Sequence, residues 1–227
     1  MSPVRQVAAR GVHPAPVERV WYAAYGSNMH SERLRYYLAG GCPPGGARTY
    51  PGCRDTRMPE RSVPVELPGT VYFATESLVW TGGRAFYDAD APGRVWGKAH
   101  LVTVEQFSDI AAQEMYRSPG QDLDVADVLT RTLSGGRLRL GPGRYETLVR
   151  PGDVDGVPLL TFTAPWRAAE VVTTRPSAAY LGHIAAGLLE AQVWGAAAVA
   201  DYLAACPGAA GHWSAEDVTL LIDGLRR

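Results

Sequence analysis

Residues 20–25 (VWYAAY) form an unbroken apolar run of strand length that stops abruptly at Gly26, Ser27 and Asn28. A short continuous apolar run closed by turn residues reads as a buried strand. SERLRYYLAGG follows, with Ser31 as a helix start, Leu34, Tyr37 and Leu38 at helical spacing, and two stop glycines. The local plan is therefore strand, tight turn, helix. Residues 42–69 are rich in Pro, Gly and Arg without a sustained period, which predicts a long irregular connection. Strand-like segments then crowd together at 70–74 (TVYFA), 77–80 (SLVW), 84–88 (RAFYD) and 94–103 (RVWGKAHLVT). Gly82-Gly83 and Pro92-Gly93 punctuate them, and the pattern predicts an antiparallel meander.

A helix over 104–115 is entered through Thr103-x-x-Gln106, which has the form of a capping box. Residues 119–143 read as an insertion holding a short helix (125–133) and a glycine-rich return, and 145–150 and 159–164 as strands of a hairpin turning over 152–158. Three helices close the chain at 177–192, 194–206 and 214–226, the last opened by Ser214. A mixed sheet or barrel with helices added at one end is an α+β architecture.

At 227 residues the chain can bury one sizeable core. One domain over 20–227 is expected, behind a flexible tail (1–19) whose arginines and prolines enclose no apolar core of signal-peptide length. With 22 Lys+Arg against 23 Asp+Glu the net charge is −1. No global field then favours nucleic acid or an anionic membrane, and a small-molecule partner fits better. No run approaches the ~20 apolar residues of a membrane span. Cys42, Cys53 and Cys206 form no CxxC pair and read as ordinary thiols suited to a reducing, cytoplasmic setting.

The helix after Thr103 carries the most chemical information. Its spacing puts Phe107, Ile110, Ala111 and Glu114 on one stripe, so a carboxylate shares the apolar face. Glu105, nine residues earlier, lies about half a turn away, in the first turn where a carboxylate offsets the helix dipole. A carboxylate among apolar neighbours has a raised pKa, the property of a general base working near neutrality. The alternative for Glu114 is a frayed helix end pointing to water. For Gly26-Ser27-Asn28 the alternatives are a plain turn or a nest of N–H groups that holds a carboxylate or an oxyanion. Ser27 stands in no GxSxG elbow. The five histidines are isolated, with no HExxH, so no metal site is expected.

These pieces assemble into a pattern. AYGSNM (24–29) with SERL following, WTGGRAF (80–86), GRVWGKAHLVT (93–103), QEMY (113–116) and RPSAAY (175–180) occur in the order found in the γ-glutamylcyclotransferase-like family, which the chain resembles over roughly residues 20–205. The family includes γ-glutamylcyclotransferases, γ-glutamylamine cyclotransferases and AIG2-like proteins. The resemblance implies a small mixed β-barrel flanked by helices and a cofactor-independent enzyme that releases 5-oxoproline and a free amine from a γ-glutamyl amide. It places the substrate-holding loop on Tyr25, Gly26, Ser27, Asn28 and Met29, the acid/base on Glu114, and site-lining positions on Gly83, Tyr180 and, as a further candidate, Tyr145. The family often has Gly directly after the catalytic Glu, whereas Met115 stands there here, and the 119–143 insertion is longer than in compact members. Removal of a γ-glutamyl protecting group from a specialised amine, or small-molecule binding without turnover, are the competing readings.

Overall fold

The computed structural model describes residues 3–11, 17–43, 48–77 and 79–225, without the side chains of Ser134 and Gly135. In chain order the elements are β1 (Arg5–Gln6), β2 (Arg19–Ala24), α1 (Ser31–Ala39), β3 (Ser62–Pro68), β4 (Thr70–Ser77), β5 (Gly82–Asp88), β6 (Arg94–Thr103), α2 (Val104–Glu114), α3 (Val125–Gly135), β7 (Arg137–Arg139), β8 (Thr147–Val154), β9 (Val157–Thr163), α4 (Ala178–Glu190), α5 (Ala196–Ala205) and α6 (Ala215–Leu225). Short 3-10 turns occupy Ser27–Met29 and Ala168–Glu170.

The apolar run ahead of the Gly-Ser-Asn turn becomes β2, whose residues from Val20 to Ala24 are all buried. That composition suits a central strand covered on both faces. β2 pairs antiparallel with β6 from Arg19↔Thr103 to Ala24↔Lys98, and parallel with β9 at Trp21↔Leu159 and Tyr22↔Leu160. The full sheet has seven strands in the order β1-β3-β6-β2-β9-β8-β7. α2 packs on β2 and β6, with Phe107 and Ile110 fully buried; each side chain of that size contributes roughly 1.5–3 kcal/mol. α1 lies against α2, and α4, α5 and α6 pack on one another.

The barrel expected from the resemblance does not form. The sheet is open: its edge strands are the two-residue β1 and the three-residue β7, and β4 and β5 separate as a two-stranded ribbon. A closed barrel would pair β5 with a neighbour through backbone bonds. Side-chain hydroxyls take that place: Thr163 Oγ1 accepts from Tyr87 N at 2.9 Å and donates to Tyr87 O at 2.8 Å. Likewise Tyr145 donates to Ala85 O at 3.0 Å and Tyr180 Oη accepts from Ala85 N at 3.3 Å. The ribbon edge is thus satisfied, yet held away from the sheet by the depth of these side chains, and a cleft opens between them.

Other expectations need correction. Residues 42–69 are not wholly irregular, because β3 pairs along its length with β6. Its prolines obscured it, but Pro64 lies outside the stretch that β1 covers (Val65 and Glu66), on a strand whose outer edge is otherwise unpaired among the described residues. Val79 and Trp80 belong to the reversal between β4 and β5 rather than to a strand, and Leu78 lies outside the described residues. The meander is confined to β4 and β5, since β6 crosses into the main sheet. The glycine-rich return contributes β7. The β8–β9 reversal is at Asp155 and Gly156, while Gly152 sits within β8 at a bulge. A Cβ on Gly152 would lie 2.1 Å from Ala8 O, so only glycine admits the N-terminal segment there. That segment is laid along the sheet: Ala8 and Asp153 exchange backbone bonds of 2.9 and 3.1 Å, and Arg10 Nε donates to Arg150 O at 2.9 Å. Among the described residues no helix is long and apolar enough to cross a membrane.

Candidate active site

The turn after β2 is built from its backbone outward. Met29 N donates to Gly26 O and His30 N to Ser27 O, each at 3.1 Å, closing one 3-10 turn. The N–H groups of Ser27 and Asn28 have no partner within such a turn. Asn28 O accepts from His100 Nε2 at 3.1 Å, and because a carbonyl only accepts, Nε2 carries the imidazole proton. Nδ1 then accepts from Ser62 Oγ at 2.8 Å. Burial, aided by the Lys98 charge, lowers the His100 pKa to about 3, so this ring is a neutral strut under Asn28.

α1 begins at Ser31, the expected serine start, with His30 at the position before it and no side-chain cap. Glu190 of α4 supplies the missing acceptor, with Oε2 taking bonds from Ser31 N (3.0 Å), Ser31 Oγ (2.8 Å) and Lys98 Nζ (2.8 Å). α4 approaches closely enough for this because residue 187 is glycine: a Cβ there would lie 2.5 Å from Met29 Cβ and 2.6 Å from His30 N.

Opposite the turn, α2 ends at Glu114. Its entry is the capping box read from the sequence, Thr103 Oγ1 accepting from Gln106 N (3.0 Å) and Gln106 Oε1 from Thr103 N (3.2 Å). The segment from Arg48 to Arg57 is pinned to the same helix. Asp109, fully buried, accepts from Arg54 N at 2.8 Å, and Arg48 Nη2 donates to Gln113 O at 2.9 Å. Arg48 and Tyr50 are thereby held beside the helix end.

Glu114 Oε1 accepts from Asn28 Nδ2 at 3.3 Å, and the same Nδ2 reaches the Tyr22 hydroxyl at 3.2 Å. Glu114 keeps some exposure to the cleft, with protein packed round the rest of it. Desolvation raises its pKa; the Tyr37 hydroxyl, the Arg33 and Arg48 guanidiniums and the Asn28 amide favour the ionised form and offset only part of that rise. The carbonyl end of α2 disfavours the charge further.

The cleft between them measures about 70 Å³. Of the positions singled out in the sequence, Tyr25, Gly26, Ser27, Asn28, Glu114, Tyr145 and Tyr180 line it. Met29 and Gly83 do not. Met29 is fully buried beneath the turn against α4, and Gly83 is a packing position whose N–H donates to Arg175 O at 2.8 Å and whose Cβ would meet Thr174 O at 2.1 Å. The hydroxyls of Tyr25 and Tyr145 are spent on the backbone, at Phe162 O (2.8 Å) and Ala85 O. Tyr180 uses its oxygen as an acceptor for Ala85 N, so that bond leaves its proton unused; burial pushes its pKa up to about 12, which keeps that proton in place.

Arg33, Tyr37, Arg48, Trp80 and Arg84 also line the cleft and were not among the site residues read from the sequence. Arg33 lies four residues before Tyr37 and so on the inward stripe of α1, a signal that its charge concealed. Among the described residues no group of three or more His, Cys, Asp or Glu side chains could hold a metal ion.

No family model matches the chain. In an alignment 187 positions long that covers 75% of this chain, it is 30% identical to a protein of Arabidopsis thaliana named Histone deacetylase 5. It spans 28% of that relative, so the activity in the name is said of the relative alone. Among solved structures, a human protein described as uncharacterized is similar with a TM-score of 0.46 and 17% identity, over 78% of this chain and 82% of that one. A gamma-glutamyl cyclotransferase is similar with a TM-score of 0.45 and 16% identity, over 91% and 99%. At these scores neither likeness assigns an activity to the chain.

Proposed function

We propose that this chain is a cyclotransferase that cleaves γ-glutamyl amides to 5-oxoproline and a free amine. The observation that carries the reading is the pairing of Glu114, desolvated at the end of α2, with Asn28 in the turn across the cleft. The motif resemblance over residues 20–205 supports it independently of the geometry.

A γ-glutamyl amide contains its own nucleophile. Its α-amino group attacks the γ-carbonyl, a five-membered lactam closes, and the amine on the far side of the carbonyl leaves. An α-amine has a pKa near 7.7–8.0 and is largely protonated at neutral pH. Glu114 accepts its proton and returns one to the departing nitrogen, so the carboxylate is regenerated at each turnover. Folding the substrate into its ring-closing conformer exploits an effective molarity worth up to about 7–11 kcal/mol in well-oriented cases. The Tyr180 hydroxyl and the first N–H groups of the turn are the donors for the oxyanion or the α-carboxylate, and a well-placed oxyanion donor is worth about 2.7–4 kcal/mol.

Incubation with γ-glutamyl dipeptides, glutathione and γ-glutamylamines, with 5-oxoproline detected by mass, tests the reading. Product from at least one compound is expected; none across the panel rejects it.

A further inference from the structure

Beside the small cleft lies a larger cavity of about 540 Å³, which shares Arg33, Arg48, Tyr50, Val79 and Trp80 with it. The γ-glutamyl reading leaves this space without an occupant. A leaving group extends away from the reacting carbonyl, and this cavity is the adjoining space able to receive it.

Arg33 stands where the two meet. Its residue is 3% exposed, and its Nη2 donates to the Tyr50 hydroxyl. Its Nε and Nη1 have no hydrogen-bond partner among the described residues. Those two nitrogens carry three N–H donors, and a buried guanidinium left without an acceptor is costly. No carboxylate lies within ion-pair distance of Arg33 among the described residues, although Asp109, Glu146 and Glu190 each serve other cations. Glu114 faces it at longer range but gives up its charge on taking a proton. Arg48 adds a second cation, stacked 4.8 Å from the Tyr50 ring and 4.6 Å from the Tyr116 ring. Among the described residues the one carboxylate lining the larger cavity, Glu32, is on its exposed side.

We propose that the larger cavity is the leaving-group subsite and that Arg33, with Arg48 beside it, holds a carboxylate there. The substrate is then a γ-glutamyl amino acid or peptide rather than the γ-glutamyl derivative of a neutral or cationic amine. This rests on the cyclotransferase reading, and its test separates the two.

Binding is measured by calorimetry on Glu114→Gln, in which turnover is expected to be suppressed, with γ-glutamylalanine, γ-glutamylalaninamide and γ-glutamylalanine amidated at the glutamyl α-carboxylate. γ-Glutamylalanine is expected to bind at least about 10-fold more tightly than γ-glutamylalaninamide, the scale of one charge-assisted hydrogen bond. Adding Arg33→Gln, or the partly exposed Arg48→Gln should the first fail to fold, is expected to shrink that ratio to less than about threefold. Equal affinities for the two compounds, a ratio untouched by both substitutions, or an arginine effect that persists with γ-glutamylalaninamide and vanishes with the α-amidated compound would each overturn the assignment. Wild-type protein that shows the binding preference yet releases no 5-oxoproline retains the carboxylate site and rejects the cyclisation.

Discussion

Asn28 and Glu114, 86 positions apart in the chain, meet across the cleft at 3.3 Å through the amide nitrogen of one and a carboxylate oxygen of the other. The contact joins the turn after β2 to the end of α2. It is also one of the interactions that favour ionised Glu114. Asn28→Asp replaces that donor with a second acid at hydrogen-bond distance, and like charges so close disfavour ionisation. The acid limb of the pH–rate profile is expected to move upward by about one pH unit or more; an unmoved limb would show that Glu114 is not the titrating group.

Desolvation raises the Glu114 pKa above its ordinary 4.5, so the folded protein binds this proton more tightly than the unfolded chain does. The associated stability is fully present below that ordinary value and is lost as pH rises through the folded-state pKa. Glu114→Gln has no proton to lose. Thermal melts from pH 4 upward are expected to show the variant gaining on the wild type as pH rises, then holding a constant advantage. A wild type that gains on the variant with rising pH contradicts the burial of the carboxylate.

His100 has the opposite linkage. Its pKa falls from 6.5 to about 3, so its contribution is present above 6.5 and is lost as pH falls towards 3. Between pH 6.5 and 5, where most carboxylates stay ionised, one such proton gives a limiting slope of about 1.4 kcal/mol per pH unit. His100→Gln retains an N–H donor for Asn28 without titrating. Denaturant midpoints over this window should slope for the wild type and run flatter for the variant; matching slopes would remove the neutral histidine from beneath the turn.

Two glycines near the turn separate chemistry from packing. Gly26 has φ −117°, open to any residue, and an added Cβ would lie 3.2 Å from Tyr180 Oη and 3.7 Å from Ala85 Cβ. Gly26→Ala is expected to cut turnover at least about 10-fold by displacing that hydroxyl, with stability changed by less than about 1 kcal/mol. Gly187→Ala gains up to about 1 kcal/mol of helix propensity, but its Cβ would press on Met29 Cβ and His30 N at 2.5–2.6 Å. Overpacking of that kind costs about 1–3 kcal/mol and prevails. Melting curves and initial rates on both variants check the pair; the reverse pattern would place the two glycines in the wrong roles.

Local signals carried much of this architecture in the sequence. The capping box at Thr103 and Gln106 and the stripe from Phe107 to Ile110 and Ala111 depend on contacts within a few residues, and each has its counterpart in the structure. Long-range features were hidden. β3 carries prolines that only its place near a sparsely paired edge makes tolerable. Across the gap beside the open sheet Thr163 meets Tyr87, and Tyr145 and Tyr180 meet Ala85, contacts that no periodicity encodes. Arg33 was not singled out in the sequence, and its guanidinium is enclosed by Tyr37, Tyr50 and Trp80, 4.5–5.5 Å from their ring centres, through contacts that local spacing does not reveal.

Proton transfer through Glu114 is the central claim, and it is tested most directly by comparing 5-oxoproline release from one γ-glutamyl dipeptide by wild-type protein and by Glu114→Gln at equal folded concentration. The nearly isosteric amide occupies the same cleft but takes no proton, so release is expected to fall at least ~100-fold while the circular dichroism and the affinity for the dipeptide persist. Equal rates for the two proteins would contradict the account.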